Sequence, residues 1–302
     1  VPVAAADAVE WGSRRLDIAV LGLFFSPAVV GIYYVAQNVA ALPSKLKTSF
    51  DPILGPVIAR NIAAGDKLAV AQQVRQVGFW VIAAQLGVAL ALAIPGEAVM
   101  GLVGPNFVGG TGALAFLLAA EAVAATAVVS EAALVYIARH RNLMISLLMI
   151  GIQAALSVVL ILGLRSVRLP SWLVEAFALT SDRLPPGFAA AGPAIALMAA
   201  LGISSILKAR LLGDLLDARV QGWRWPIVWA SGAAIVVGYL FTLLPRSLEW
   251  VELAIGIPAI LATFGAVIWI RGFTHEDRVL FRLKKADEAT LSPPAGAMPP
   301  KG

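Results

Sequence analysis

Residues 14–52 read RRLDIAVLGLFFSPAVVGIYYVAQNVAALPSKLKTSFDP. The middle of this stretch, residues 18–43, is apolar enough for lipid. Yet Arg14, Arg15 and Asp17 stand at one end, and Lys45, Lys47 and Asp51 at the other. A helix needs roughly 20 mostly apolar residues to cross a bilayer. Residues 18–43 fit that length as one kinked span. They fit equally as the ends of two helices meeting at Ser26-Pro27, with Ser as the cap and Pro at the first helical position. The first option leads to about seven helices in the chain and the second to about eight; the cap leans toward the second.

The rest of the chain is of the same kind. It is 60% hydrophobic and 14% charged, with mean hydropathy +0.86, whereas soluble domains average about 45–50% apolar and about 25% charged. Six further apolar runs are long enough to span, at about 78–95, 111–138, 143–164, 189–212, 226–244 and 251–270. Residues 68–77 read as an amphipathic helical lead-in to the first of these. The runs are continuous, without the apolar/polar alternation of short barrel strands, so the expected class is an all-α integral membrane protein. The chain opens on Val1 without the basic–apolar–cleavage pattern of a signal peptide. It therefore reads as a fragment with sequence missing upstream.

Several classes of chemistry drop out. There is no cysteine, hence no disulfide framework, thiol nucleophile or thiolate metal site. His140 and His275 lie in separate polar segments and cannot make a histidine-rich metal site. No HExxH, GxSxG, Walker motif or paired-Asp glycosyltransferase motif occurs, so neither an enzyme nor an ATP-driven pump is expected. The net charge of +5 and pI of 9.7 do not point to nucleic acid, because the basic residues fall in the short gaps between apolar runs. Fourteen of them fall on one side of an eight-helix topology, against four (Arg165, Arg168, Arg183 and Arg246) on the other. That bias makes the first side cytoplasmic, with both chain ends on it. On the far side, residues 95–110 read as a glycine-rich turn. Residues 165–188 read either as a long loop or as a short helix lying at the interface. Residues 286–302 read as a disordered tail.

The intramembrane charges need a reason, since an ionised side chain at the bilayer centre costs about 2.5–3.5 kcal/mol even on the mild scale. Arg14 and Asp17, and likewise Lys47 and Asp51, have the spacing of helical ion pairs. Lys45 and Lys47 follow Pro43 in a helix expected to run to about Arg60, which puts them roughly three turns inside it. This favours a cavity lining over snorkelling to the interface. Glu121 sits among small and apolar residues far from either end of its run and is a candidate for ion coupling. Glu131 and Asp51 are further candidates, each with local pairing as the simpler reading. Tyr33, Tyr34, Gln37 and Asn38 cluster in the opening helices. Aromatic faces, amides and cations together suit a sugar–phosphate ligand, although tyrosines at such positions commonly only pack or sit in an interfacial belt.

At these residues the chain resembles a known family. Asp17, Leu21-Gly22-Leu23-Phe24, the short turn, Val30-Gly31-Ile32-Tyr33 and Pro52 follow the opening of the second lobe of the polysaccharide-biosynthesis flippases. These belong to the MATE-like superfamily that also holds the lipid II flippases and multidrug exporters. LVGPNFVGG (102–110) is similar to the family's Gly-x-x-Phe element, and Asn142 falls in its following cytoplasmic turn. The resemblance is best over residues 14–164 and weaker to about 285. It implies eight helices: a six-helix second-lobe bundle (1–217, with an insert at 165–188), two additional C-terminal helices (218–285), and the tail. It also implies a missing first lobe, a V-shaped pair of lobes around a cavity, and alternating access in a bacterial inner membrane. The implied substrate is an undecaprenyl-diphosphate-linked oligosaccharide for surface polysaccharide, with polymerase machinery as a partner. No cofactor is implied beyond a coupling ion, H+ or Na+. Arg14, Arg15, Asp17, Tyr33, Gln37, Asn38, Lys45 and Lys47 would line the cavity. Two other readings stay open: a cation-coupled exporter of drugs or other lipids, and a membrane-embedded glycan-assembly enzyme.

Overall fold

The computed structural model describes residues 12, 15–45, 58–166, 190–245 and 249–273. Helix accounts for 88% of it, with no strand, so the apolar runs are helical as expected. Arg14, Lys47, Asp51, residues 167–188 of the predicted 165–188 insert, the run from Pro52 toward Arg60 up to residue 57, and the 286–302 tail lie outside the described residues; Arg165 and Ser166, expected in that insert, are helical.

The opening stretch forms two helices, α1 (15–24) and α2 (Pro27–Ala40). Pro27 takes the first helical position as expected. Ser26 occupies the cap position, but its side chain makes no capping hydrogen bond, which corrects the expected cap. The free end of α1 is closed from elsewhere: the Arg165 guanidinium donates to the Phe24 carbonyl and lies over the Phe25 ring at 4.4 Å. Arg165 thus holds the break between the two helices.

Six helices follow that are long and apolar enough to cross a membrane, and they match the six runs. They are α3 (Lys67–Ala93), α5 (Thr111–Ile137), α6 (Arg139–Ser166), α7 (Gly192–Leu216), α8 (Trp225–Thr242) and α9 (Ile257–Arg271, entered through a π-turn at Glu252–Gly256), with the short α4 (Gly96–Gly101) lying between α3 and α5. Local chemistry sets their ends. Asp66 caps α3 by accepting from the Ala69 N–H at 2.9 Å, and the predicted lead-in at 68–77 is continuous with it. Prolines stand in the first turns of α7, α8 and α9, where the missing N–H costs nothing. Asp217 ends α7 in the left-handed conformation.

Residues 95–110 are a correction. They are not an open turn but the helix α4 and a 3-10 turn (Pro105–Gly110). Val99 and Met100 are buried in one core with Leu21, Tyr33 and Leu114. Two short apolar patches too small to register as a span fold inward because α2 and α5 offer them a surface.

The bundle has an inside and a rim. α3 and α5 are half buried along their apolar windows, whereas α6, α8 and α9 bury only 22% and expose residues such as Leu147, Val159, Val236 and Ile270. Exposed Trp225 and Trp269 mark one end of the α8–α9 pair and Trp250 the other, the positions of aromatic interfacial belts. Together these describe a multi-pass membrane protein with a lipid-facing rim.

The connection from α7 to α8 crosses the middle of α3 backbone to backbone. A Cβ on Gly222 would lie 2.6 Å from the Phe79 nitrogen and 2.7 Å from the Gly78 carbonyl carbon. Beside it the Arg224 guanidinium sits 4.3 Å over the Phe79 ring and donates to the Gly272 carbonyl at 3.2 Å. Gly222→Ala should therefore destabilise by about 1–3 kcal/mol, because backbone cannot move aside. A Cβ at Gly232 on α8 meets nothing within 4 Å, so Gly232→Ala should be neutral or slightly stabilising. Denaturation midpoints of the two variants in the same detergent check the contrast.

Candidate functional site

α1 and α2 form a hairpin whose inner faces meet at Asp17. The side chain of Asp17 is fully buried. Its oxygens accept from the Tyr33 hydroxyl at 2.8 Å, from Gln37 Nε2 at 3.0 and 3.2 Å and from the Ile18 N–H at 2.9 Å. Tyr33 and Gln37 are four residues apart, hence one above the other on the face of α2 that meets α1. A polar group removed from water and lipid is tolerable only when its hydrogen bonds are made, and here several donors converge on one carboxyl group.

The four polar residues of α2 therefore divide. Tyr33 and Gln37 join Asp17. Tyr34 and Asn38 are turned outward, and Asn38 Nδ2 donates to the Tyr34 carbonyl at 3.0 Å, a contact within the helix. Arg15 and Lys45 are exposed. They stand toward the open end of the hairpin, since Asp17 at the start of α1 pairs with Tyr33 and Gln37 toward the end of α2. The expected pairs Arg14–Asp17 and Lys47–Asp51 each include a residue outside the described segments. Among those described, Asp17 is held by an aromatic hydroxyl and an amide.

The ion-coupling candidates divide as well. Glu121 is half-buried in mid-α5. Glu131, a helical turn and a half before the end of α5, accepts from Lys208 Nζ at 2.8 Å, with side chains 35% and 5% exposed respectively. Lys208, inside the predicted 189–212 run and counted among the fourteen basic residues of one side, lies within α7 and is buried against α5. Ser205, one turn earlier, donates to the Val123 carbonyl at 3.3 Å. Sequence reading missed Lys208 because a hydropathy window averages one cation into its neighbours. Its spacing from Ser204, Ser205 and Leu212 would have placed it on the buried face.

A second missed feature is a polar seam on α6. Asn142, Gln153 and Ser157 are buried, with Met149 and Ile161 on the same face, and Asn142 Oδ1 and Ser157 Oγ make no hydrogen bond within the described residues. The helical spacing of 149, 153, 157 and 161 carried that signal. Gln85 on α3 and Glu252 in the π-turn are likewise buried and were not anticipated. Among the described residues no group of three or more His, Cys, Asp or Glu side chains could hold a metal ion. Comparison with protein-family models, with curated proteins and with solved structures finds no match to this chain.

Proposed function

We propose that this chain is the second lobe of a MATE-like flippase that moves an undecaprenyl-diphosphate-linked oligosaccharide from the inner to the outer leaflet of a bacterial inner membrane. In this reading α1 and α2 each cross the membrane, for eight spans in all, the basic side faces the cytoplasm, and α8 and α9 are additions to a six-helix lobe. The observation that carries it is the opening hairpin. Its polar inner face is fixed by Asp17, Tyr33 and Gln37, and it presents Arg15 and Lys45 exposed toward its open end. Asp17 and Tyr33 are also among the residues in which the resemblance to the flippases resides. Cations beside a wet cavity would offset the charge of a diphosphate that cannot enter lipid bare. The chain's own work in this mechanism is binding and gating, with H+ or Na+ as the coupling ion and no bond made or broken.

A second reading, a cation-coupled exporter of drugs or other lipids, is favoured by the part-buried Glu131–Lys208 pair, since ionisable residues inside membranes often mark ion pathways. Complementation of a flippase-null strain with the full-length protein separates the two. Wild type should clear lipid-linked glycan from the cytoplasmic leaflet. Arg15→Ala/Lys45→Ala, at normal membrane levels, should clear it about tenfold more slowly or worse, since each charged hydrogen bond to phosphate contributes about 1.5–3 kcal/mol. No clearance by well-expressed wild type would overturn the flippase reading and leave the exporter.

A further inference from the structure

The turn between α5 and α6 leaves an open depression of about 510 Å³ whose lining includes Tyr136, Ile137, Arg139, His140, Arg141 and Leu215. We infer that it binds the phosphate headgroup of an anionic phospholipid, independently of what the protein transports. The turn is as short as a turn can be. Ala138 alone leaves helical geometry, at φ −145 and ψ 51, and α6 begins at the next residue. Arg139, His140 and Arg141 are consequently the first turn of a 28-residue helix, with no acidic residue among them.

That placement is electrostatically backward. The N-terminal end of a helix carries a partial positive charge and unsatisfied N–H groups, so carboxylates are favoured there and cations are not. No carboxylate lines the depression to compensate. Lys67 adds a further cation nearby: its Nζ donates at 3.2 Å to the carbonyl of Leu215, which is part of the lining. A bound anion turns each of these unfavourable terms into a favourable one. Guanidinium groups, helix N–H groups and a neighbouring ammonium are the donors that phosphate takes.

The lining and what lies beyond it select a lipid over free phosphate. Tyr136, Ile137 and Leu215 give the depression an aromatic and apolar wall. From it, α6 presents an exposed apolar strip, Met144, Leu147, Leu148, Val159 and Leu162, at helical spacing on the side away from α7. A headgroup seated at the turn would lay its acyl chains along that strip. The basic end of α6 and its greasy flank then serve one amphiphilic ligand.

The test uses the full-length protein in detergent, with native mass spectrometry against phosphatidylglycerol and phosphatidylcholine and a parallel thermal-shift series. Wild type should retain phosphatidylglycerol about tenfold more strongly than phosphatidylcholine, in line with two or more cations at the headgroup. Arg139→Gln/Arg141→Gln should abolish that preference without lowering the lipid-free melting temperature, because both side chains are exposed and cations in the first turn of a helix do not stabilise it. Arg210→Gln/Arg219→Gln, at the same end of the bundle but outside the depression, should leave the preference unchanged. Equal retention of the two lipids by wild type would overturn the site, and so would a phosphatidylglycerol preference that survives in Arg139→Gln/Arg141→Gln. If millimolar inorganic phosphate displaces phosphatidylglycerol completely, the site is one for free phosphate and the lipid assignment falls.

Discussion

Glu131→Gln should destabilise the protein by about 3–5 kcal/mol, whereas Lys208→Met should cost less than about half of that. The asymmetry follows from burial. Lys208 keeps only 5% of its side-chain surface exposed and Glu131 keeps 35%. Lys208 also lies eight residues before the end of α7, about 12 Å along the axis at the rise of a helix, so its ammonium group cannot reach the interface without unpacking. Removing the glutamate charge strands a cation inside. The substituted amide would still offer an oxygen to Lys208 Nζ, so what is lost is compensation of charge more than a contact. Removing the lysine instead leaves a carboxylate that is already a third exposed and nearer to the end of its helix. Methionine fills most of the vacated volume. The double substitution should recover most of the loss, because replacing a whole buried pair by groups of similar shape is commonly neutral or stabilising. A double-mutant cycle on unfolding midpoints in mild detergent measures this. Equal costs for the two single substitutions would mean that Lys208 finds water or another acceptor, and the pair would then not be the lock between α5 and α7.

The same pair shows where the sequence could and could not be read. Long apolar runs specify spanning helices almost irrespective of detail, because every backbone hydrogen bond in lipid must be made within the segment. The six runs accordingly became helices, and Pro27 marked a real helix start. Position inside the bundle is a different kind of information. Lys208 looked like one more cation at the basic end of its run, because Lys208 and Arg210 stand close together near that end. Only periodicity could have shown that one of them faces α5 and the other does not. Residues 95–110 looked open because glycine dominates them. The buried Met100 and Val99 depend on α2, more than 50 residues earlier in sequence. Arg165 is the extreme case. Its hold on the Phe24 carbonyl joins positions 141 residues apart, and no local pattern encodes it. Asp17, Tyr33 and Gln37 fall between these cases. Their residue types drew attention as polar groups in an apolar setting, and the i, i+4 spacing of Tyr33 and Gln37 placed them on one face. That Asp17 would meet this face required knowing that α1 and α2 fold back on each other.

Asp17→Ala should cost about 2–4 kcal/mol, and Asp17→Asn less than about 1 kcal/mol. Alanine removes the acceptor for the Tyr33 hydroxyl and for Gln37 Nε2 together, and each buried donor left unmet carries a penalty of about 1–3 kcal/mol. No water need reach a site that is fully enclosed. Asparagine can keep most of the network. Its Oδ1 goes on accepting from the Ile18 N–H and from Gln37 Nε2, and its Nδ2 donates to the Tyr33 hydroxyl oxygen, which is acceptor as well as donor. Tyr33→Phe should lie between the two, because it removes one donor and leaves the carboxyl group still held by Gln37 and the Ile18 N–H. Unfolding midpoints order the three variants. Asparagine matters most, because it separates holding the hairpin together from carrying a charge. Normal stability with lost glycan clearance would make the acidic character of Asp17 part of transport. Normal stability with normal clearance would make the cluster a pin that sets the angle between α1 and α2, and with it where Arg15 and Lys45 stand.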